Sequence, residues 1–243
     1  MRKNPCMAHR GWSGQAPENT LAAITKALHH PQVDGIEFDV QLSRDGVPIV
    51  IHDFTLERTT NGRGLVHEHT FAELRALDAG SWYGPEFAGE RIPTLEEVLI
   101  ANTGKKLLNI ELKKMGMNEQ NGIEAKVIEL IRRYELEQHV VVTSFNHESV
   151  RKVKELAPDL RVGPIIYGYP TMIPEQIKHI GASLVSMAYH YLTPELVHNL
   201  TTAGIGLVAW TIDESAHMAM TAELSEGIQI CTNHPDRWFS LKG

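Results

Sequence analysis

Two imidazoles, a guanidinium and several carboxylates are crowded into a few short stretches of this chain. They occur in Ala8-His9-Arg10-Gly11, Pro17-Glu18-Asn19-Thr20, Glu37-Phe38-Asp39, His52-Asp53 and Glu111-Leu112-Lys113. Cleaving a phosphodiester needs a base to activate the attacking oxygen, an acid to protonate the departing alkoxide, and positive charge for the phosphoryl oxygens. Imidazole titrates close to neutral pH, so His9 and His52 are the candidates for proton transfer. Arg10, with a planar two-donor fork, and Lys113, a mobile point charge, are candidates for the phosphate.

Side-chain alternation along a strand turns these types into a spatial expectation. If the apolar runs that begin near Gly35 and Leu107 are strands, Glu37 and Asp39 share one face and Phe38 and Val40 the other, while Glu111 and Lys113 oppose Ile110 and Leu112. The apolar sets should face helices and the acids an interior. Three carboxylates then converge. At about 4 Å and an effective dielectric near 20, each like-charge pair costs on the order of 4 kcal/mol, so a divalent cation is the simplest remedy. Oxygen donors alone favour a hard ion, Mg²⁺ or Ca²⁺, over zinc. The bland alternative is that the acids pair only with Arg10 and Lys113. Three carboxylates and one phosphodiester carry −4, and a divalent ion with Arg10 and Lys113 carries +4, so an assembled complex would be neutral.

The elements that must position these groups follow from hydrophobic rhythm. Apolar runs begin near Cys6, Gly35, Leu107, Val140, Arg161, Leu184, Gly206 and Ile228, with helical patterns between most of them. The last five start roughly 22 residues apart, room for one strand, one helix and two short loops. Eight such units predict an α/β fold, a (β/α)₈ TIM barrel. No Gly-x-Gly-x-x-Gly loop follows the first strand, which weakens a dinucleotide-binding alternative. Ser43-Arg44-Asp45-Gly46 reads as a hairpin turn into an extra antiparallel strand over 47–51, ending at His52. Residues 54–93 read as a small insertion over the barrel mouth, and Thr94 with Glu97 as a capping box where helical periodicity resumes. The 243 residues are expected to form one domain.

Composition bounds the partners. A formal charge of −7 offers no basic surface for nucleic acid. No apolar run is long enough to predict a membrane span, the N-terminus lacks a signal-peptide core, and the expected location is the cytoplasm. Cys6 and Cys231 fall in predicted strands and are expected to be buried free thiols. No apolar repeat demands a second copy of the chain.

Ordinary structural roles compete for several of these residues. Arg10 has a salt-bridge partner at hand in Glu18, and Lys113 in Glu111. Asn19 precedes Leu21, Ile24 and Leu28 at helical spacing and is expected to cap that helix. Trp210, at the end of the seventh barrel strand, can be an apolar wall against a small polyol or plain barrel packing. His29, His30, His67, His69 and His139 have no catalytic company, and Gly62, Gly64, Gly80 and Gly84 read as turn glycines.

Taken together, the motifs resemble the glycerophosphodiester phosphodiesterase family. The likeness spans His9-Arg10-Gly11, Pro17 to Thr20, Glu37-x-Asp39, Asp45-Gly46 into His52-Asp53, Leu77-Asp78-Ala79-Gly80, Ile92-Pro93-Thr94-Leu95, Glu111-x-Lys113 and Ala209-Trp210-Thr211. The resemblance implies a barrel, a divalent ion on Glu37, Asp39 and Glu111, His9 and His52 as general acid and base, and Arg10 and Lys113 on the phosphate. It implies small-molecule glycerophosphodiester substrates cleaved to sn-glycerol 3-phosphate and an alcohol. The competing readings are a lysophospholipase D or phosphoinositide-cleaving enzyme on the same barrel, a non-catalytic binder of phosphate ligands, and a metal-dependent sugar-processing barrel. The insertion is not obviously apolar enough for a lipid substrate.

Overall fold

The computed structural model describes residues 3–114 and 122–242. The strands are β1 (Cys6–His9), β2 (Gly35–Leu42), β3 (Pro48–Val50), β4 (Leu107–Leu112), β5 (Val140–Ser144), β6 (Arg161–Ile166), β7 (Leu184–Ala188), β8 (Gly206–Trp210) and β9 (Ile228–Thr232). The helices are α1 (Leu21–His29), α2 (Phe71–Arg75), α3 (Leu95–Ala101), α4 (Ile123–Arg133), α5 (His147–Leu156), α6 (Ile173–His179), α7 (Pro194–Thr202), α8 (Ser215–Leu224) and α9 (Pro235–Lys242). All strands but β3 pair in parallel in the order β1-β9-β8-β7-β6-β5-β4-β2, and β1 pairs with β2 to close the ring. The result is the (β/α)₈ barrel that the rhythm predicts, with each of the eight parallel strands starting at the expected residue.

β3 lies outside this ring. The turn through Gly46, whose φ of +77° suits glycine, returns the chain so that Val40, Gln41 and Leu42 pair antiparallel with Val50, Ile49 and Pro48. β1 is only four residues long and stops at His9, so the upper part of β2 has β3 as its neighbour. This arrangement carries the chain to His52 at the barrel mouth.

Apolar side chains pack on both faces of the ring. Phe38, Val40, Ile110 and Leu112 pack outward against helical residues such as Ile24, Val98 and Val127. Met7, Val141, Leu184, Val208 and Cys231 form a second cluster inside the barrel, and the parity of their strands puts them on the same face as His9, Thr143, Ser186 and Trp210, one step lower. An apolar plug therefore lies beneath a polar layer. Cys6 and Cys231 are both buried and neither is in a disulfide, as expected.

Between β3 and α3 the chain carries α2 and short single turns at Val66–Glu68 and Pro85–Phe87. Leu56, Val66, Leu74, Ala79 and Ile92 from this stretch share a small core with Ile49 and Ile51. Its exit is fixed at α3. Thr94 accepts from the Glu97 amide while Glu97 accepts from the Thr94 amide, the reciprocal cap that the sequence predicts. Arg75 grips the same Glu97 carboxylate with two guanidinium nitrogens at 2.6 and 2.8 Å. Thr94→Ala is expected to cost about 1 kcal/mol of stability, read as a shift in the denaturation midpoint, with catalysis unchanged.

Candidate active site

The strand C-termini place the chemistry. His9 ends β1, Glu37 and Asp39 lie in β2, Glu111 lies in β4 with Lys113 just beyond it, Trp210 ends β8, and His52 follows β3. Register brings the acids together: His9 sits opposite Glu37, and Asp39 opposite Glu111. Glu37, Asp39 and Glu111 are buried and offer oxygens that all lie within 4.8 Å of one another. The parity argument from sequence holds at each position.

Burial and mutual repulsion push Glu37 well above the ordinary carboxylate range. Burial and the charge of Asp39 likewise lift Glu111, to about 7. Burial works against Asp39 too, but Arg10 and Lys113 outweigh it and hold that carboxyl at about 2. Such a trio suits a divalent cation on chemical grounds, since the donors are all oxygen and two of the three carry charge only at a cost that a cation removes. The cluster fits a divalent metal site.

Both histidines are anchored through Nδ1. The Asn233 side-chain nitrogen donates to Asp213 Oδ2 at 2.7 Å, which leaves Asn233 Oδ1 as acceptor, 2.7 Å from His9 Nδ1. His9 therefore carries its neutral-state proton on Nδ1 and a lone pair on Nε2, which lies 3.8 Å from Glu37 Oε2. Burial, reinforced by Arg10, drives His9 down to about 4. His52 Nδ1 lies 2.6 Å from Asp53 Oδ1. Hydrogen bonds from Arg58 hold Asp53 far below its ordinary value, so it is an ionised acceptor and His52 is the donor. His52 is lowered by burial against the opposing pull of Asp39.

The bland roles for the cations occur alongside the site. Arg10 Nη1 donates to Glu18 Oε1 at 2.7 Å, its Nε lies 3.4 Å from Asp39 Oδ2, and its backbone amide donates to Glu37 Oε2 at 3.0 Å. Lys113 Nζ donates to Glu111 Oε1 at 2.8 Å and lies 3.6 Å from Asp39 Oδ1. The loop carrying Arg10 is forced: Arg10 and Gly11 both have positive φ, +55° and +79°, and a side chain on Gly11 would collide with the backbone of α1 at Ala23. Glycine is therefore required next to Arg10.

One expectation is overturned. Asn19 does not cap α1; Thr20 does, its hydroxyl accepting from the Ala23 amide. Asn19 adopts φ +59°, which asparagine tolerates better than most residues, and turns its side chain to Asp39, donating to Oδ2 at 2.8 Å and accepting from the amide at 3.3 Å. The Thr at the next position competes for the cap, and only the fold shows that Asp39 lies within reach of Asn19. Asn19→Ala is expected to destabilise by about 1 to 3 kcal/mol, since it strips a donor from a buried carboxylate. Asn19→Gly, which keeps the backbone unstrained, should lose less in the same denaturation experiment.

Sequence reasoning also missed Arg58, Asp213 and Asn233. Arg58 bonds both Glu18 and Asp53, with four contacts between 2.6 and 2.8 Å, and so ties the partner of Arg10 to the partner of His52. No local pattern marks these three residues: Asp213 and Asn233 meet across 20 residues, and Arg58 joins nearby Asp53 to Glu18, 40 residues away.

His9, Arg10, Glu37, His52, Glu111 and Trp210 line one cavity of about 140 Å³, floored by Asn109, Thr143 and Ser186. His52, Glu111 and Phe145 also border an open cleft of about 780 Å³ that contains Lys113 and Phe54. A model of the glycerophosphoryl diester phosphodiesterase family matches residues 9–237. The chain belongs to the glycerophosphodiester phosphodiesterase family. It is 41% identical to a glycerophosphodiester phosphodiesterase of Caldanaerobacter subterraneus subsp. tengcongensis, over 98% of each chain. It is 32% identical to a glycerophosphodiester phosphodiesterase of Bacillus subtilis, over 97% of this chain and 85% of that one. Among solved structures, a phosphodiesterase of Oleispira antarctica in complex with the product sn-glycerol-3-phosphate is 31% identical, with a TM-score of 0.88 over 98% of this chain and 97% of that one. The chain is thus a phosphoric diester hydrolase on a family barrel. No helix among the described residues is long and apolar enough to cross a membrane.

Proposed function

We propose that this member of the glycerophosphodiester phosphodiesterase family hydrolyses small glycerophosphodiesters to sn-glycerol 3-phosphate and an alcohol, with His9 and His52 moving protons and Arg10 and Lys113 binding the phosphate. One observation carries the proposal: two Nδ1-anchored imidazoles, one guanidinium and two members of a buried carboxylate trio border a single cavity of about 140 Å³. That space admits a glycerol unit and little more. Asn109, Thr143 and Ser186 offer its hydroxyls polar partners, and Trp210 offers its carbons a wall. The adjoining cleft takes the variable alcohol.

Glu37, Asp39 and Glu111 are the proposed ligands of a hard divalent ion, Mg²⁺ or Ca²⁺, which supplies Lewis-acid neutralisation of charge on the phosphoryl oxygens. The remaining chemistry belongs to the side chains. Arg10, braced by Glu18, presents its fork toward the phosphate, and Lys113 adds a second positive charge from the cleft side. Because both histidines hold a proton on Nδ1, each has Nε2 free for transfer. The neutral ring takes a proton from the attacking oxygen at its Nε2, and the other, entering the step as imidazolium, gives its Nε2 proton to the leaving alkoxide. Asn233 and Asp53 keep each ring in the required tautomer.

The 243 residues are read as one domain, with 54–93 as an insertion that sends Arg58 over the mouth. Two buried cysteines outside any disulfide are in keeping with a reducing compartment, and the cytoplasm is the proposed location. The test is release of sn-glycerol 3-phosphate from glycerophosphocholine by purified protein, with EDTA, Mg²⁺ or Ca²⁺. Turnover that EDTA stops and one of the ions restores is the expected result. Tight binding of the substrate with no turnover under any condition would make the protein a binder instead.

A further inference from the structure

The two histidines are anchored by different chemistry. Asp53, the partner of His52, has two acceptor oxygens and offers the ring the same contact whichever way it is turned. Asn233, the partner of His9, is a carboxamide with an acceptor at one end and a donor at the other, so the end that meets Nδ1 decides which ring nitrogen holds the proton. Left alone, that pair can settle in either direction. Asp213, in the loop between β8 and α8, removes the choice. Its Oδ2 accepts from the Asn233 side-chain nitrogen at 2.7 Å, and its Oδ1 accepts from the Asn233 backbone amide at 2.9 Å and the Thr232 hydroxyl at 3.0 Å. The loop itself is pinned on both sides: the Ile212 amide donates to the Cys231 carbonyl at 2.9 Å, and Arg237 Nη1 donates to the Asp213 carbonyl at 2.9 Å. At the other end the Ser13 hydroxyl, 2.7 Å from Asn233 Oδ1, is a second donor toward that oxygen. These contacts cross the ends of β8, β9 and β1, neighbours in the ring, and finish at Nδ1 of His9.

We propose that Asp213 is a positioning residue of the reaction: by fixing the direction of the Asn233 amide, it holds the His9 proton on Nδ1 and reserves Nε2 for proton transfer. The proposal rests on the phosphodiesterase reading above and adds to it a group that never touches the substrate. Whether His9 takes or gives the proton, its Nδ1 must stay protonated throughout, so the requirement is the same for either role. Asp213→Asn reverses the direction at nearly constant shape. The backbone N–H of Asn233 cannot turn away, so the end of the new amide that faces it must be the oxygen, and the amide nitrogen then faces the Asn233 side chain. Asn233 accepts that hydrogen bond only by turning over. Its own nitrogen then meets His9 Nδ1, which must accept, and the ring proton moves to Nε2.

The experiment compares the parent with Asp213→Asn, Asp213→Ala and the double variant Asp213→Asn with Asn233→Asp. Steady-state kinetics on glycerophosphocholine, with the divalent ion that supports the parent, are measured beside ¹⁵N NMR of the His9 ring at pH 8, its signals identified by their loss from His9→Ala. In Asp213→Asn, kcat is expected to fall at least about 10²-fold with KM moving little, and the ring proton to shift to Nε2. Asp213→Ala imposes no direction, so it should share the proton between both nitrogens and lose less turnover, the reverse of the order that a purely structural contact gives. In the double variant the carboxylate at 233 accepts from His9 and from the new amide, which should return the proton to Nδ1 and kcat to within about tenfold of the parent. Near-parental kcat in Asp213→Asn, a slower Asp213→Ala, a double variant no better than the worse single one, or a proton wholly on Nδ1 in Asp213→Ala each overturns the inference, as does a parental His9 with its proton on Nε2. Should Asp213→Asn fail to fold, the alanine and double variants decide by the same ring spectra. A parent that hydrolyses no glycerophosphodiester overturns the phosphodiesterase reading instead, and the spectra still decide what Asp213 does to His9.

Discussion

Replacing His52 with alanine is expected to lower turnover by about 10² to 10⁴, the usual range for losing a positioned proton-transfer group. The ring stands just beyond β3, and its side chain keeps about 30% of its surface open, so its removal opens no core cavity and the melting temperature should stay close to that of the parent. His9→Ala should cost turnover on the same scale, with KM moving less than kcat. The two losses should not add, because the histidines serve one transition state and removing either already removes concerted proton transfer. Asp53→Asn supplies a finer control: the ring stays in place but loses its ionised acceptor. Steady-state kinetics beside calorimetry decides the matter. A His52→Ala enzyme with near-parental kcat would take that residue out of the mechanism.

The second large effect concerns the acid trio. Stripping divalent ions with EDTA should reduce the rate by at least about 10³, because Lewis-acid stabilisation of phosphoryl charge is worth several kcal/mol. Stability should respond with a definite sign. Glu111 sits at about 7 in the folded protein against an ordinary 4.5, so between those values the native state holds a proton that the unfolded chain has released. Ion-free protein must therefore lose stability as pH rises through this window, by on the order of 3 kcal/mol at about 1.4 kcal/mol per pKa unit. Glu37, shifted the same way, adds to the loss. Asp39 acts oppositely and only in acid, its contribution fading as pH falls from 3.8 toward 2. Adding Mg²⁺ or Ca²⁺ at pH 8 should restore the melting temperature, and Glu37→Gln should be more stable than the ion-free parent at that pH yet nearly inactive. A melting temperature that rises with pH in the absence of divalent ions would refute the proposed trio.

These expectations draw on features that were unequally visible in the chain. Strand starts at Cys6, Gly35, Leu107 and the five later positions were legible because a buried parallel strand needs an unbroken apolar run and its helix a 3.6-residue stripe, both local patterns. The facing of Glu37, Asp39 and Glu111 was legible for the same reason, since parity within a strand needs no knowledge of its neighbours. Asn19 reads as a cap in the sequence because capping is local, whereas its carboxylate partner, Asp39, is not. Arg58 escaped notice entirely, for its two partners lie 5 and 40 residues away and meet only across the mouth.

A run of ring contacts from Phe145 through Trp210 and Tyr167 to Tyr191 makes the same contrast at larger scale. Phe145, Tyr167, Tyr191 and Trp210 are isolated rings in sequence, each at or just beyond the end of a different strand, and no periodicity joins them. Closing the barrel converts four separate strand ends into neighbours on one rim. The order of residues is enough to read off the elements, the inward acids and the two imidazoles, because repeating patterns report secondary structure and side-chain facing. Which proton each ring holds, and how Arg10 and His52 are braced through Arg58, emerge only once the chain is folded, because each depends on contacts between segments whose separation along the chain carries no periodic signal.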